Sequence, residues 1–266
     1  DYKFVVWADF VLDGSQADLH YETTNGLRLV AIKDWTAIDE SRDAYTEAVN
    51  VENFSSTTQI PTIVLTRPFA KLRVVTNDIK EMISVRPATV KVNYFDTKFY
   101  TAFDAFNEEP IDNTYNGHEL VVDLNEDKYT NENPDKTGVM TLFADYMFAK
   151  EGDRVKFTMD VVDNGGIAIP QVTFSTDIPI NRNYLTTVYG PILTDANNVT
   201  VTIDANFAAE TIYLEGDVTL TEDMEINRPI VVREGVSAVL NLNSHNITVN
   251  HNSGVTAESE GIIVYG

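Results

Sequence analysis

The chain has 266 residues, 43% of them hydrophobic, and carries 41 acidic against 19 basic side chains, four histidines and no cysteine. That apolar content suffices for ordinary cores and excludes bulk disorder. A net charge of −22 repels phosphate backbones and anionic lipid headgroups, so nucleic acid is a poor partner. Lacking cysteine, the chain has no disulfides, thiolate metal sites or cysteine nucleophiles. No apolar run reaches the roughly 18–20 residues that span a bilayer. No signal peptide is visible, and the strand-like start at Asp1 reads as a mature or trimmed piece.

Period-two alternation, rich in β-branched and aromatic residues, predicts strands over 4–10, 26–32, 62–65, 70–75, 89–94, 138–144, 154–161, 167–174 and 183–188. Turn chemistry separates them at Asp13-Gly14, Asn25-Gly26, Asn116-Gly117, Glu151-Gly152-Asp153 and Asn164-Gly165. The last lies between two alternating runs and predicts a hairpin. Helical pattern is confined to short stretches at 41–49, 77–83 and 145–150. The fold class expected is all-β, with antiparallel sandwiches.

Pro61 and Pro68 bracket a strand, as at a sheet edge or domain entry. Residues 1–65 then form the remainder of an N-terminal β-sandwich domain, and residues 66–207 a second, complete one. Beyond Phe207 the rhythm changes. Val218 and Leu220 are followed 22 residues on by Leu240 and Leu242, and 22 further by Ile262 and Val264. Such a period predicts the start of a parallel β-helix over 208–266, continuing past Gly266, because repeats bury their faces only by stacking. Asn241, Asn243 and Asn246 suit its polar turns. The only bases after Asn183 are Arg228 and Arg233.

An ordered series of motifs resembles the fimbrillin-like surface proteins of Bacteroidetes over residues 2–207. It comprises Phe4-Val5-Val6-Trp7-Ala8-Asp9, Arg42-Asp43-Ala44-Tyr45, Leu65-Thr66-Arg67-Pro68-Phe69-Ala70-Lys71-Leu72, Thr76-Asn77-Asp78 and Ile178-Pro179-Ile180-Asn181-Arg182-Asn183-Tyr184. The last runs on into Thr186-Thr187-Val188-Tyr189-Gly190-Pro191-Ile192-Leu193-Thr194. The resemblance implies tandem transthyretin-like sandwiches on secreted, often lipid-anchored cell-surface proteins that serve as pilus subunits, tip proteins or adhesins. Polymerising members insert a donated strand into a groove opened by proteolysis. The C-terminal repeat departs from a shaft subunit and favours a tip or stand-alone surface protein.

Candidate chemistry is sparse. The sequence contains no H-E-x-x-H, G-x-S-x-G, P-loop or dinucleotide fingerprint. His20, His118, His245 and His251 read as loop residues. Glu222-Asp223-Met224-Glu225 and Asn107-Glu108-Glu109 read as solvated turns rather than calcium loops. In the aromatic run 94–106, Phe95, Phe99, Phe103 and Phe106 are expected in the core, with Tyr100 exposed. Arg67 and Lys71 are expected to pair with acids at the junction. No catalytic, cofactor-binding or metal residue is nominated, no cofactor is expected, and ligand-binding residues are not assigned.

The function expected is a non-enzymatic cell-surface adhesion protein, a fimbrial tip or fimbrillin-like subunit, at the outer membrane or fimbrium. Its expected partners are other fimbrial subunits by strand addition, or surface glycans or proteins, with membrane attachment only through a lipid anchor upstream of this sequence. The alternative is a carbohydrate-binding or polysaccharide-active β-helix on fimbrillin-like spacers. At the 22-residue interval Glu222 meets Ser244 and Asp223 meets His245, so that alternative has no stacked carboxylate pair.

Overall fold

The computed structural model describes residues 1–11, 17–33, 39–52, 54, 62–82, 86–124, 138–173, 177–204, 212–214, 216–226, 230–232, 237–249 and 262–264. Asp13-Gly14, Pro61, Phe207, Arg228, Arg233 and His251 lie outside these residues. The first strands are β1 (Tyr2–Asp9), β2 (Tyr21–Glu22), β3 (Val30–Ile32), β4 (Ala44–Val51), β5 (Phe69–Thr76), β6 (Thr89–Asp104) and β7 (Glu109–Asp123). They are followed by β8 (Met140–Phe148), β9 (Arg154–Val162), β10 (Ala168–Thr173), β11 (Ile178–Pro179), β12 (Leu185–Gly190) and β13 (Thr200–Asp204). Helical structure among the described residues is limited to the 3-10 turns Glu40–Arg42 and Ile79–Glu81.

Eleven of these strands form one sheet whose path runs β10-β9-β6-β8-β5-β12-β13, with β7 and β3 also paired to β6. The path folds over a core. Ala70, Leu72 and Val74 of β5 meet Val90, Val92 and Tyr94 of β6, Val155, Phe157 and Met159 of β9, and Val188 of β12. The β9 strand buries alternate residues, the signature of a sheet with one wet face. By contrast β5, β8 and β12 are buried at every position. β5 and β12 also pair in parallel, from Lys71↔Leu185 to Thr76↔Gly190, and parallel ladders are characteristically covered on both faces.

The second cover comes from the N-terminal segment. β1 and β4 form a two-stranded antiparallel sheet, and β3 pairs with β6 at Val30↔Phe103. An isolated pair of strands is only marginally stable. Here its inner face packs Val5 and Trp7 on a second core of Tyr21, Val30, Phe69, Phe103, Tyr146 and Phe148.

Three readings of the sequence are corrected. Residues 44–49 and 145–148 of the two expected helical stretches are strand, because β4 pairs along β1 and β8 runs to Phe148 along β5. Pairing overrides their local helical pattern, and 77–83 is reduced to the single turn Ile79–Glu81. Asn116-Gly117 is no turn: Asn116 lies within β7, opposite Lys98. Residues 62–65 are not a strand but lead to an isolated bridge, Thr46↔Thr66. The β9–β10 hairpin forms as expected, its turn held by Asp163 Oδ1 accepting from Gly165 N at 2.8 Å and Ile167 N at 2.7 Å.

Past Asp204 the pairing changes hand. β14 (Ile212–Leu214), β15 (Val218–Thr219), β16 (Met224–Ile226), β17 (Ile230–Val232), β18 (Leu240–Asn241), β19 (Ile247–Val249) and β20 (Ile262–Val264) form three separate parallel ladders, β14-β17-β20, β15-β18 and β16-β19. They enclose a small core of Leu214, Val218, Leu220, Ile230 and Val232. The first expected interval is realised as Val218↔Leu240. The second is not: Ile262 stacks on Ile230, in a different ladder from Leu240.

Candidate functional site

The parallel ladders present their polar groups along one line. Asp217 Oδ1 accepts from Val239 N at 2.8 Å, and Asp223 Oδ1 from Asn246 N at 2.9 Å. In both cases an acid accepts from a backbone amide 22 or 23 residues further along the chain. His245 Nδ1 lies 3.4 Å from the same Asp223 oxygen, and the Asn246 amide holds that carboxyl below the usual range. Asn243 Nδ2 donates to Leu220 O at 3.2 Å, while Asn241 Oδ1 accepts from Asn243 N at 3.0 Å. The asparagines singled out from the sequence are thus staples between and within coils. Stacking covers Val218 and Leu220, 6% and 0% exposed, but leaves Val239 and Leu242 at 59% and 43%. On the outer surface Thr219 stands directly against Asn241, both exposed.

At the junction, sequence reasoning found one clamp and missed its centre. Arg67 forks onto Asp43, Nε at 2.7 Å from Oδ1 and Nη2 at 2.8 Å from Oδ2, and Nη2 also reaches the Tyr45 hydroxyl at 2.7 Å. Arg182 donates to Arg67 O, Glu108 O, Thr66 Oγ1 and Glu108 Oε1, at 3.0–3.2 Å, with its guanidinium 5.2 Å from the Phe103 ring centre. Lys71 is buried, with its Nζ 5.1 Å over the Tyr146 ring. The deepest tie joins Arg42 to Asp145 at 3.0 Å, their side chains 1% and 0% exposed, and Arg42 Nη2 also donates to Tyr146 O at 2.7 Å. Tyr94 completes the group by donating to Asp145 Oδ2 at 3.2 Å, and burial pushes its phenol well above the usual range. Arg42 stands within a quoted motif, yet its partner lies 103 residues away, and nothing local signals that pairing.

The aromatic run also departs from simple alternation. Tyr100 is 3% exposed and Phe95 38%, the reverse of expectation. The cause is a bulge. Asp96 takes a positive φ of 46°, and the β6–β7 register shifts between Tyr94 and Lys98. Over that shift β6 passes four residues while β7 passes two, so Tyr94 and Phe99 both face the first core. Tyr100 turns to the opposite face, where the second core buries it with Phe103 and Phe148. Phe106 is neither core nor free surface: the Arg28 guanidinium stacks 3.4 Å from its centre and Lys3 Nζ lies at 4.4 Å.

His20 sits in the bend before β2, as a loop residue, but it is buried and stands beside a serine and a carboxylate. Its Nε2 is 2.7 Å from Ser41 Oγ and 3.4 Å from Asp39 Oδ2, while Ser41 Oγ donates to Asp39 Oδ1 at 2.5 Å. Because the hydroxyl proton already points at the carboxylate, Nε2–H must donate to Ser41. A nucleophilic triad needs the reverse, with histidine accepting the serine proton and the acid on its other nitrogen. This trio orients the 39–42 loop. The 107–109 turn is likewise built on local bonds, Asp104 Oδ1 accepting from Phe106 N and Asn107 N. Among the described residues, no group of three or more histidine or acidic side chains is placed to hold a metal ion. No helix among them is long and apolar enough to cross a membrane.

An almost wholly β chain, with a sheet folded over one core and short parallel ladders after it, defines a β-sandwich protein with a stacked C-terminal module. The chain belongs to a family of unknown function, DUF6562, whose model matches residues 1–249. No curated protein matches it. Similar solved structures come from Bacteroides. One is a candidate cell adhesion protein of Bacteroides eggerthii, with TM-score 0.37 and 13% identity over 76% of this chain and 77% of that one. A candidate adhesin of Bacteroides ovatus gives 0.36 and 8%, over 66% and 64%. A candidate cell adhesion protein of Bacteroides fragilis gives 0.31 and 10%, over 61% and 56%. The chain spans less than two thirds of the last two.

Proposed function

We propose that this is a non-enzymatic cell-surface adhesion protein, a fimbrial tip or fimbrillin-like subunit, in which residues 1–65 and 66–207 form transthyretin-like spacer domains and residues 208–266 begin a parallel β-helix that carries the recognition face. One observation carries the reading. The strands past residue 211 do not extend the antiparallel sheet; they pair in parallel with one another around their own core. A module built in this way presents side chains in rows at ladder spacing, as Thr219 and Asn241 do. The Arg42–Asp145 tie and the Arg67 and Arg182 clamps fix the N-terminal segment to the sheet, which suits a stiff spacer. The ligands proposed are surface glycans or proteins, and the location is the cell surface, with a lipid anchor outside this sequence.

The test is a glycan and surface-protein binding array probed with the full chain and with the double variant Thr219→Lys/Asn241→Lys. Both positions are exposed, so the variant keeps the core, and Asn241→Ala alone controls for the lost Asn243 N–Asn241 Oδ1 bond. The expected result is selective binding that the double variant loses. Turnover of any glycan on the array, or binding indifferent to the two lysines, overturns the proposal.

A further inference from the structure

The row Lys71–Leu185–Asp204 runs straight across β5, β12 and β13. The chain enters the sheet from the N-terminal segment at Phe69, two residues before Lys71, and leaves β13 for the C-terminal ladders at Asp204. Entry and exit therefore lie at the same end of the sheet, separated only by β12. The N-terminal segment is held to the sheet by the β3–β6 pairing and the Arg42–Asp145 tie. Tension between the two ends of the chain therefore reaches β13 at its Asp204 end, where a pull away from β12 loads the ladder one pair at a time. A load along strand axes strains all ladder bonds together; a load across them breaks one pair at a time.

The strands are unequally held against such a load. β12 pairs on both sides, with β5 and β13. It is also tied by Thr186 Oγ1 to Pro179 O at 2.8 Å and by Arg73 Nη2 to Thr187 Oγ1 at 3.2 Å. β13 pairs with β12 alone among the described strands, and its Val201 and Ile203 are 37% and 44% exposed. The apolar hold on the segment is therefore confined to Ala196 and Val199, which pack at the rim of the main core. Behind β13 the chain is anchored again: the buried Asp78 carboxylate accepts from Thr194 N at 2.8 Å and from Thr194 Oγ1 at 2.9 Å.

We propose that β13 is a tension-releasable edge strand: load carried between the N-terminal segment and the C-terminal ladders peels residues 195–204 as far as the Asp78–Thr194 anchor and uncovers the backbone edge of β12. The physiological setting rests on the surface reading above, but the peeling itself does not. Released, those residues lengthen the chain by about 15–20 Å, the roughly 33–36 Å of ten extended residues less the distance they already span in the fold.

Single-molecule pulling on the full chain, with handles at residues 1 and 266, tests this. Thr187 and Thr202 face each other across β12 and β13. The chain has no native cysteine, so Thr187→Cys/Thr202→Cys pins the two strands with one designed disulfide. The expected result is a reversible step of about 15–20 Å before the sheet unfolds, absent in the oxidised variant and restored on reduction. Unfolding of the ladders gives its own step, insensitive to oxidation. If no step of that length precedes sheet unfolding, or if it survives in the oxidised variant, the proposal fails. Array binding of the unloaded protein stands or falls separately.

Discussion

The sheet and the C-terminal ladders solve the problem of order in different ways. In the sheet, β5, β8 and β12 are covered on both faces, and buried charges and polar groups there are tied to one another, Arg42 to Asp145 and Asp78 to Thr194. In the ladders, rungs of two or three residues share a core of five described buried residues, and order comes from carboxylates at the surface that accept amides of the next coil. Burial makes the first design intolerant of losing one partner. Exposure makes the second adjustable but weak, since ties in water are individually small.

The largest effect is expected at the buried pair. Replacing Arg42 with Ala strands a carboxylate in the interior and costs about 3–5 kcal/mol in chemical denaturation of the sheet, whereas Arg42→Met with Asp145→Leu removes both charges and costs far less. Comparable losses from the single and double variants would mean that the pair is not desolvated as described. Leu220→Ala in the ladder core costs about 2–5 kcal/mol, read in the ladder transition alone. An equal shift of the sheet transition would merge the two regions into one cooperative unit. Gly190→Ala places a Cβ 2.5 Å from Asn198 O and destabilises the sheet by about 1–3 kcal/mol, since backbone rather than a flexible side chain must move.

The smallest effect separates the regions by pH. Asp223 has a depressed carboxyl, so its stabilising contribution is present above the unfolded value near pH 4 and is lost as pH falls through the lower folded value. The ladder melting temperature is therefore expected to decline below about pH 4, and Asp223→Asn to flatten that decline. An unchanged slope in the variant would show that the Asn246 bond does not stabilise the stack.

Local chemistry was readable where it was sufficient. The β9–β10 turn, the strand after Pro68 and the Val218–Leu240 interval each depend on residues that specify their own geometry or period. What escaped depends on distant partners. Ala44–Val51 is a strand because β1 lies beside it, and Arg42 is buried because β8 supplies its carboxylate. The exposure of Phe95 goes with Asp96 adopting a left-handed φ, which asparagine-like residues tolerate but do not announce, and the burial of Tyr100 depends on the N-terminal segment covering its face. The third strand of the β14–β17–β20 ladder was misassigned because Ile262-Ile263-Val264 matches more than one earlier aliphatic pair at plausible spacing. In the site, the asparagine and acid positions were legible as turns, but their service as staples between coils required the ladders.

Hydrogen exchange on the full chain tests most directly whether the protein joins a tightly held sheet to an independently ordered stack. Amides of Phe69–Thr76 and Leu185–Gly190 should exchange only through global unfolding, and those of Leu240–Asn241 and Ile247–Val249 through a separate, lower-energy opening. Equal protection in both regions, with equal sensitivity to Leu220→Ala, would contradict the account.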